Sequence, residues 1–263
     1  MKHKIILLIS TVLLSLSAFA QCPVRNTAFQ SGEHLSYDLY FNWKFIWFKV
    51  GSADMDIKQT KYKGQDAYRA YLITRGSKTA DRYFVLRDTL TTYTTLDIVP
   101  LFYTKNALEG KRYTREKVIY SYGETGTSLD LTYQKNSDPV RRQTVTVNDC
   151  PYDMISMMLK ARSFDGSQFK VGDRIKFMMA EGKHCEEQYI VYRGREKFTN
   201  EYTDETFDCL VFSFVEKDGR KEKDVVTFFV TNDKNHIPVR LDLHLKFGSA
   251  KAFLKSAKGI RNK

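Results

Sequence analysis

The chain has 263 residues, 42% hydrophobic and 28% charged. This composition excludes a disordered or collagen-like polymer, and the length suffices for one large β domain or two small ones. Lys and Arg outnumber Asp and Glu by 42 to 31, for a formal charge of +11, which favours anionic partners. Eighteen Phe and 16 Tyr against five Pro are what pleated, half-buried strands use.

At the start, Lys2, His3 and Lys4 form a positive region. Ile5 to Leu16 is an apolar run broken only by Ser10, Thr11 and Ser15, and Ala18-Phe19-Ala20 is a small-x-small cleavage site. This is the pattern of a secretory signal peptide over residues 1–20, removed to leave one mainly β exported domain over residues 21–263. Gln21, before Cys22, is not the small residue that lipoprotein processing needs, so the expected mature protein begins at Gln21 without a lipid. A lipid anchor at Cys22, or secretion, is the alternative to a periplasmic location. No later stretch approaches 18 apolar residues, so no transmembrane segment is expected after cleavage.

From Leu35 the odd positions Leu35, Tyr37, Leu39, Phe41, Trp43, Phe45 and Trp47 are apolar, and the alternation resumes at Ala53, Met55 and Ile57. Period two means strand, but a run this long must turn, and the turn is expected between Asn42 and Gly51. Further strands are predicted over 67–74, 90–95, 112–120, 128–134 and 141–147, separated by turns such as Lys63-Gly64, Glu109-Gly110 and 123–126.

One helix is predicted, at about 151–162. Asn148 or Asp149 is the expected cap, Pro151 suits the first turn, and Lys160 and Arg162 suit the negative end of the dipole. Met154, Ile155, Met157, Met158, Leu159 and Ala161 cover more than one stripe, so the helix should be buried against the β-structure and brace it. Strands resume over 174–179, 185–192, 196–202, 207–215, 224–231 and 237–247, with a turn expected at Arg193-Gly194. The basic stretch from Lys246 to Lys263 has no acid, and its end is expected to fray. The predicted fold is mainly β: a large antiparallel curved sheet, or an open or closed barrel-like domain, with this one short buried helix.

In an oxidising compartment Cys22, Cys150, Cys185 and Cys209 are disulfide candidates, with three possible pairings. A simple meander puts Cys185 and Cys209 two strands apart, too far for a bond between flat neighbours.

Several segments together carry a family resemblance. Ser31-Gly32-Glu33-His34-Leu35-Ser36-Tyr37-Asp38 is followed by Trp43 and by Val50-Gly51-Ser52-Ala53. Cys150-Pro151-Tyr152-Asp153-Met154-Ile155-Ser156 contains Asp-x-x-Ser, and Tyr192-Arg193-Gly194-Arg195-Glu196 comes after it. Thr231 to Val239 and Phe247-Gly248-Ser249 lie near the end. In order and spacing these resemble the bacterial exported family known as domain of unknown function 3108, over about residues 29–254. The resemblance implies an exported, mainly β envelope protein and brings no established activity.

The sequence holds no catalytic constellation, and no enzyme is expected. There is no Gly-x-Ser-x-Gly elbow, and Arg75-Gly76-Ser77-Lys78-Thr79 lacks the upstream glycine of a phosphate-binding loop. The scattered histidines and the lack of Cys-x-x-Cys give no metal set, and no cofactor is expected. Asp153 is explained by the positive end of the helix dipole and Ser156 by the mild packing of a short hydroxyl. Export argues against nucleic acid as partner.

What remains is the segment Phe41-Asn42-Trp43-Lys44-Phe45-Ile46-Trp47-Phe48, more apolar than one buried face requires, so that either both faces are covered as core or one lines a cavity or contacts membrane. There remain also the flexible methionines of the helix, which with a curved sheet would enclose such a cavity. Trp43, Phe45, Trp47, Met154 and Met158 are the candidate ligand-binding residues. They suggest a periplasmic binding or carrier protein for a lipid-like, amphiphilic or anionic envelope ligand. The alternative is an envelope interaction or assembly module contacting a protein or polysaccharide.

Overall fold

The computed structural model describes residues 22–43, 46–218, 221–245 and 248–262; the predicted signal segment lies outside them. Eight antiparallel strands follow one another as a meander: β1 (Glu33–Trp43), β2 (Ile46–Tyr62), β3 (Gln65–Gly76), β4 (Leu86–Thr94), β5 (Pro100–Glu109), β6 (Arg112–Gly123), β7 (Gly126–Lys135) and β8 (Arg141–Val147). A two-residue strand β9 (Pro151–Tyr152) and the helix α1 (Met154–Ala161) come next. A second meander completes the chain: β10 (Arg174–Ala180), β11 (Cys185–Thr199), β12 (Thr206–Asp218), β13 (Lys221–Thr231), β14 (Pro238–His244) and β15 (Ser249–Lys258). All 15 strands belong to one sheet, in which β15 pairs with β1 and joins the two meanders.

The sheet rolls up because its two ends are tethered. β8 and β9 are its outermost strands, yet only residues 148–150 separate them, a reach of at most about 15 Å. Gln143 Nε2 on β8 donates to the Lys183 carbonyl beyond β10 at 2.6 Å, and the Gly182 amide donates to Glu116 Oε2 on β6 at 3.2 Å. A Cβ on Gly182 would lie 2.3 Å from the Thr132 carbonyl, so the absence of a side chain lets the two halves meet there. The result is a nearly closed barrel.

Alternation along each strand sends one set of side chains inward. Leu35, Met55, Ile57, Leu90, Tyr103, Val118, Leu129 and Leu131 are buried in one core with Ile155 and Leu159 of α1. Met157 faces a second core with Phe177, Ile190, Tyr192, Leu210 and Phe212. The helix thus wedges between the halves, as the expected bracing role requires. On the other face of the second half, Phe198, Val211, Phe229 and Phe253 form a further cluster, with Tyr202 stacked on Tyr40 at 4.2 Å. On the outside of the first half the opposite alternation exposes Arg115, Lys117 and Arg142. An apolar interior behind a charged outer wall reverses the arrangement of a lipid-spanning barrel. Among the described residues no helix is long and apolar enough to cross a membrane.

Several expectations are corrected. The helix starts three residues late, because Pro151 and Tyr152 pair in parallel with Met178 and Met179 and Asp153, rather than Asn148 or Asp149, is the cap. The turn expected at Arg193-Gly194 is a bulge within the continuous strand β11; Gly194 has φ +112°, which absorbs the extra residue without reversing the chain. The stretch from Ser249 is not frayed, since β15 pairs with both β1 and β14. Asn262 Nδ2 still donates to the Thr27 carbonyl at 3.1 Å. Strand β5 was missing from the predicted set because Lys105 and Asn106 break its apolar alternation.

Candidate functional site

The meander sorts the connections to two ends. One end, the hairpin end, carries the β1–β2, β3–β4, β5–β6, β7–β8 and β14–β15 connections. The other carries the β2–β3, β4–β5, β6–β7 and β13–β14 connections together with α1.

The helix end is closed by two buried polar nodes. Asp153 Oδ1 accepts from the Ile155 and Ser156 amides at 3.0 and 2.9 Å. Its Oδ2 accepts from Ser156 Oγ at 2.8 Å, Thr92 Oγ1 at 2.9 Å and Tyr120 OH at 3.4 Å. Burial pushes this carboxyl above its usual range, while the donors hold it back. With Asp153 and Ser156 fully buried, the pair caps the helix and ties it to β4 and β6. At the far end of α1, Arg162 pairs with Glu33 and donates through Nε to the Asn235 carbonyl at 3.1 Å. His236 Nδ1 donates to the Arg162 carbonyl at 2.7 Å. Both helix ends are therefore fixed to the wall by buried hydrogen bonds rather than left to react.

Beside this closed end, Cys22 and Cys150 form a disulfide, one of the pairings the sequence left open. Tyr152 OH donates to the Cys22 carbonyl at 2.8 Å, so the segment ahead of β1 is held at the seam where the sheet begins and ends. Cys185 and Cys209 are free thiols; burial pushes them up to about 11 and about 12, which leaves them poor nucleophiles near neutral pH.

The hairpin end is different. In a barrel wall every second side chain is buried, but Ile46, Trp47, Phe48 and Lys49 at the start of β2 are all exposed. This part of the hairpin runs past the last β2–β3 pair, Gly51 with Gly76, and exposes side chains on both faces. Lys251 of β15 sits over the Trp47 ring at 4.5 Å. On its other side the Ser77 amide donates to the Val50 carbonyl at 2.7 Å, opening the loop that carries Tyr83 and Phe84, which are 89% and 53% exposed. That loop is held by the Arg87–Asp81 ion pair and by the β5–β6 turn. Gly110 has φ +63°, and a Cβ there would lie 3.0 Å from the Phe84 ring. Leu245 adds another exposed apolar side chain. Inside the mouth the wall turns polar. Burial, reinforced by Glu109, lifts Asp88 to about 6, and burial with the neighbouring Glu116 raises Glu181.

The candidate ligand residues are distributed over both ends. Trp47 stands on the projecting hairpin. Met154 is exposed at the helix end, and Met158 packs beneath the helix against the main core. Trp43 ends β1, and its ring lies outside the described residues, as does Phe45. Trp47 and Met154 are thus not brought together. The neighbours of Trp47 in the rim, Tyr83 and Phe84, were absent from the sequence-based set, although two adjacent rings inside a polar loop were a usable signal. Among the described residues no group of three or more His, Cys, Asp or Glu is placed to hold a metal ion.

Fold and site define a class: a barrel-like β protein plugged at one end by a helix and rimmed at the other by exposed rings. The chain belongs to the family described as protein of unknown function (DUF3108), whose model matches residues 36–255. Among solved structures it is similar to a β-barrel-like protein of domain of unknown function DUF1849 from Brucella abortus, with a TM-score of 0.56 and 10% identity over 89% of this chain and all of that one. A putative exported protein with a YmcC-like fold from Bacteroides fragilis aligns with a TM-score of 0.34 and 8% identity, over 89% of this chain and 99% of that one. No curated protein matches the chain.

Proposed function

We propose that this is an exported envelope protein of the periplasm that binds amphiphilic, lipid-like molecules through its hairpin end. The observation that carries the reading is the run Ile46-Trp47-Phe48, exposed by 58%, 36% and 49%. Single exposed rings such as Tyr113 and Tyr122 occur elsewhere in the strands, but three consecutive large apolar residues left in water mark an interaction site. Export is supported by the signal-like segment and by the Cys22–Cys150 disulfide, since such bonds persist in oxidising compartments. With its sulfur engaged, Cys22 is not free to carry a thioether lipid, which favours an unanchored protein.

The test uses lysophosphatidylcholine below its micelle concentration. Both tryptophans of the chain, Trp43 and Trp47, belong to this hairpin, so intrinsic fluorescence reports on it directly. A saturable blue shift, lost in Trp47→Ser/Phe48→Ser, is expected. The reading fails if the emission does not respond and native mass spectrometry of protein drawn from its own periplasm finds no co-purifying amphiphile.

A further inference from the structure

We infer that the hairpin end is a docking surface for an anionic lipid bilayer. This rests on the amphiphile-binding reading above and names the partner. A rim that merely accepted neutral apolar molecules would need no particular charge. Here the apolar side chains alternate with cations along one continuous edge. Lys251 lies over Trp47, Lys78 and Arg82 flank the loop of Tyr83 and Phe84, and Lys111 stands on the turn whose Gly110 backs the Phe84 ring.

Three carboxylates beside these tips are engaged. Asp38 pairs with Lys49, Asp81 with Arg87 and Glu109 with Arg112. Among the described residues no carboxylate lies within ion-pairing distance of Lys78, Arg82 or Lys111, and all three side chains are exposed. Around Tyr83 and Phe84 the β3–β4 and β5–β6 tips therefore present a surplus of positive charge beside rings, the combination that seats a protein at the boundary between anionic head groups and acyl chains.

Shape agrees with charge. The exposed apolar residues lie on neighbouring connections of one sheet, β14–β15, β1–β2 and β3–β4, a spread along the rim that suits an extended surface better than a small molecule. Backbone and ring contacts join these tips: Ser77 to Val50, and Phe84 to Gly110. The surface is therefore ordered before it binds, which limits the entropy lost on docking. The other end, with Leu96 and Val171 exposed, has its centre filled by α1.

Full mature protein is mixed with vesicles of phosphatidylcholine alone or mixed with phosphatidylglycerol, and partitioning is read by co-sedimentation and by tryptophan emission. Binding to the mixed vesicles that weakens at high salt is expected, with at least about tenfold less partitioning to phosphatidylcholine alone. Lys78→Glu/Arg82→Glu/Lys111→Glu should lose about tenfold or more on the mixed vesicles, and Tyr83→Ser/Phe84→Ser should lose the blue shift. Leu96→Ser/Val171→Ser, at the other end, should bind as the parent does, and melting curves confirm that each variant is folded.

Equal binding to both vesicle types, no binding to either, or equal loss in the Leu96/Val171 control would overturn the inference. If lysophosphatidylcholine still binds in those cases, the amphiphile reading survives alone. If vesicles bind with the expected selectivity while the monomeric lipid does not, the surface stands and the binding-protein reading falls.

Discussion

Arg162, the C-terminal cap of α1, lays its guanidinium against the carboxylate of Glu33 at the start of β1, and the two side chains are only 2% and 1% exposed. The pair is bidentate: Nη1 meets Oε1, and Nη2 donates to Oε2 at 3.0 Å. Phe29 covers the guanidinium with its ring centroid at 5.6 Å. An ion pair so enclosed is weakly stabilising against an apolar replacement, but losing one partner leaves a buried charge uncompensated. Arg162→Met and Glu33→Gln should each cost about 3–5 kcal/mol in urea unfolding. The double variant Glu33→Leu/Arg162→Met should cost clearly less than the two single losses added together. Strict additivity would show that the two side chains do not act as a pair.

The bracing helix makes a second prediction. Ile155 and Leu159 are buried at 1% and 0% exposure, whereas Met154 is 44% exposed. Ile155→Ala and Leu159→Ala should each destabilise by about 2–5 kcal/mol, and Met154→Ala by less than about 0.5 kcal/mol. Ser156→Ala removes one donor to Asp153 and should cost about 1 kcal/mol. Thermal or denaturant melts rank the four, and a silent Ile155→Ala would remove the bracing role.

The disulfide spans 128 positions of sequence. Cross-linking so large a loop restricts the unfolded chain, so reduction, or Cys22→Ser/Cys150→Ser, should lower stability by about 2–4 kcal/mol. Cys185 and Cys209 should stay slow towards a thiol reagent until the protein unfolds, because burial keeps them protonated. Titrating free thiols before and after denaturation checks both statements.

Asp88 gives a pH dependence of definite sign. Its folded pKa is raised to about 6, first by burial and then by Glu109, from an ordinary value of 3.8. Between these two values the folded protein keeps a proton that the unfolded chain has released. The stability this group contributes is therefore complete below about pH 3.8 and lost as pH rises through about 6. Asp88→Asn should stabilise the protein above pH 7 by on the order of 1 kcal/mol, discounted for solvent screening at this partly exposed site, and change little near pH 4. Melts of both proteins across that range decide it, and an unchanged difference between pH 4 and 7 would contradict the shift.

Local chemistry made much of this architecture readable before any coordinates. The alternation from Leu35 placed β1 and β2 and the turn between them, since period two is a property of the strand itself. The density of apolar residues from Met154 to Ala161 announced a buried helix in the same way. The excess of rings from Phe41 to Phe48 over what one face could bury was legible, but a buried core or a cavity lining explained it as well, and only the structure exposes Ile46, Trp47 and Phe48. What depended on distant partners was not readable. Arg193-Gly194 has the composition of a turn, and only the pairing of β11 with β12 on both sides of it makes it a bulge. The residues from Ser249 look like a basic tail, yet they pair with β1 some two hundred positions away. The Cys22–Cys150 bond, the Glu33–Arg162 pair and the separation of Trp47 from Met154 all follow from how a 15-strand sheet closes on itself. Closure is a sum of long-range contacts, and no window of sequence contains both sides of one.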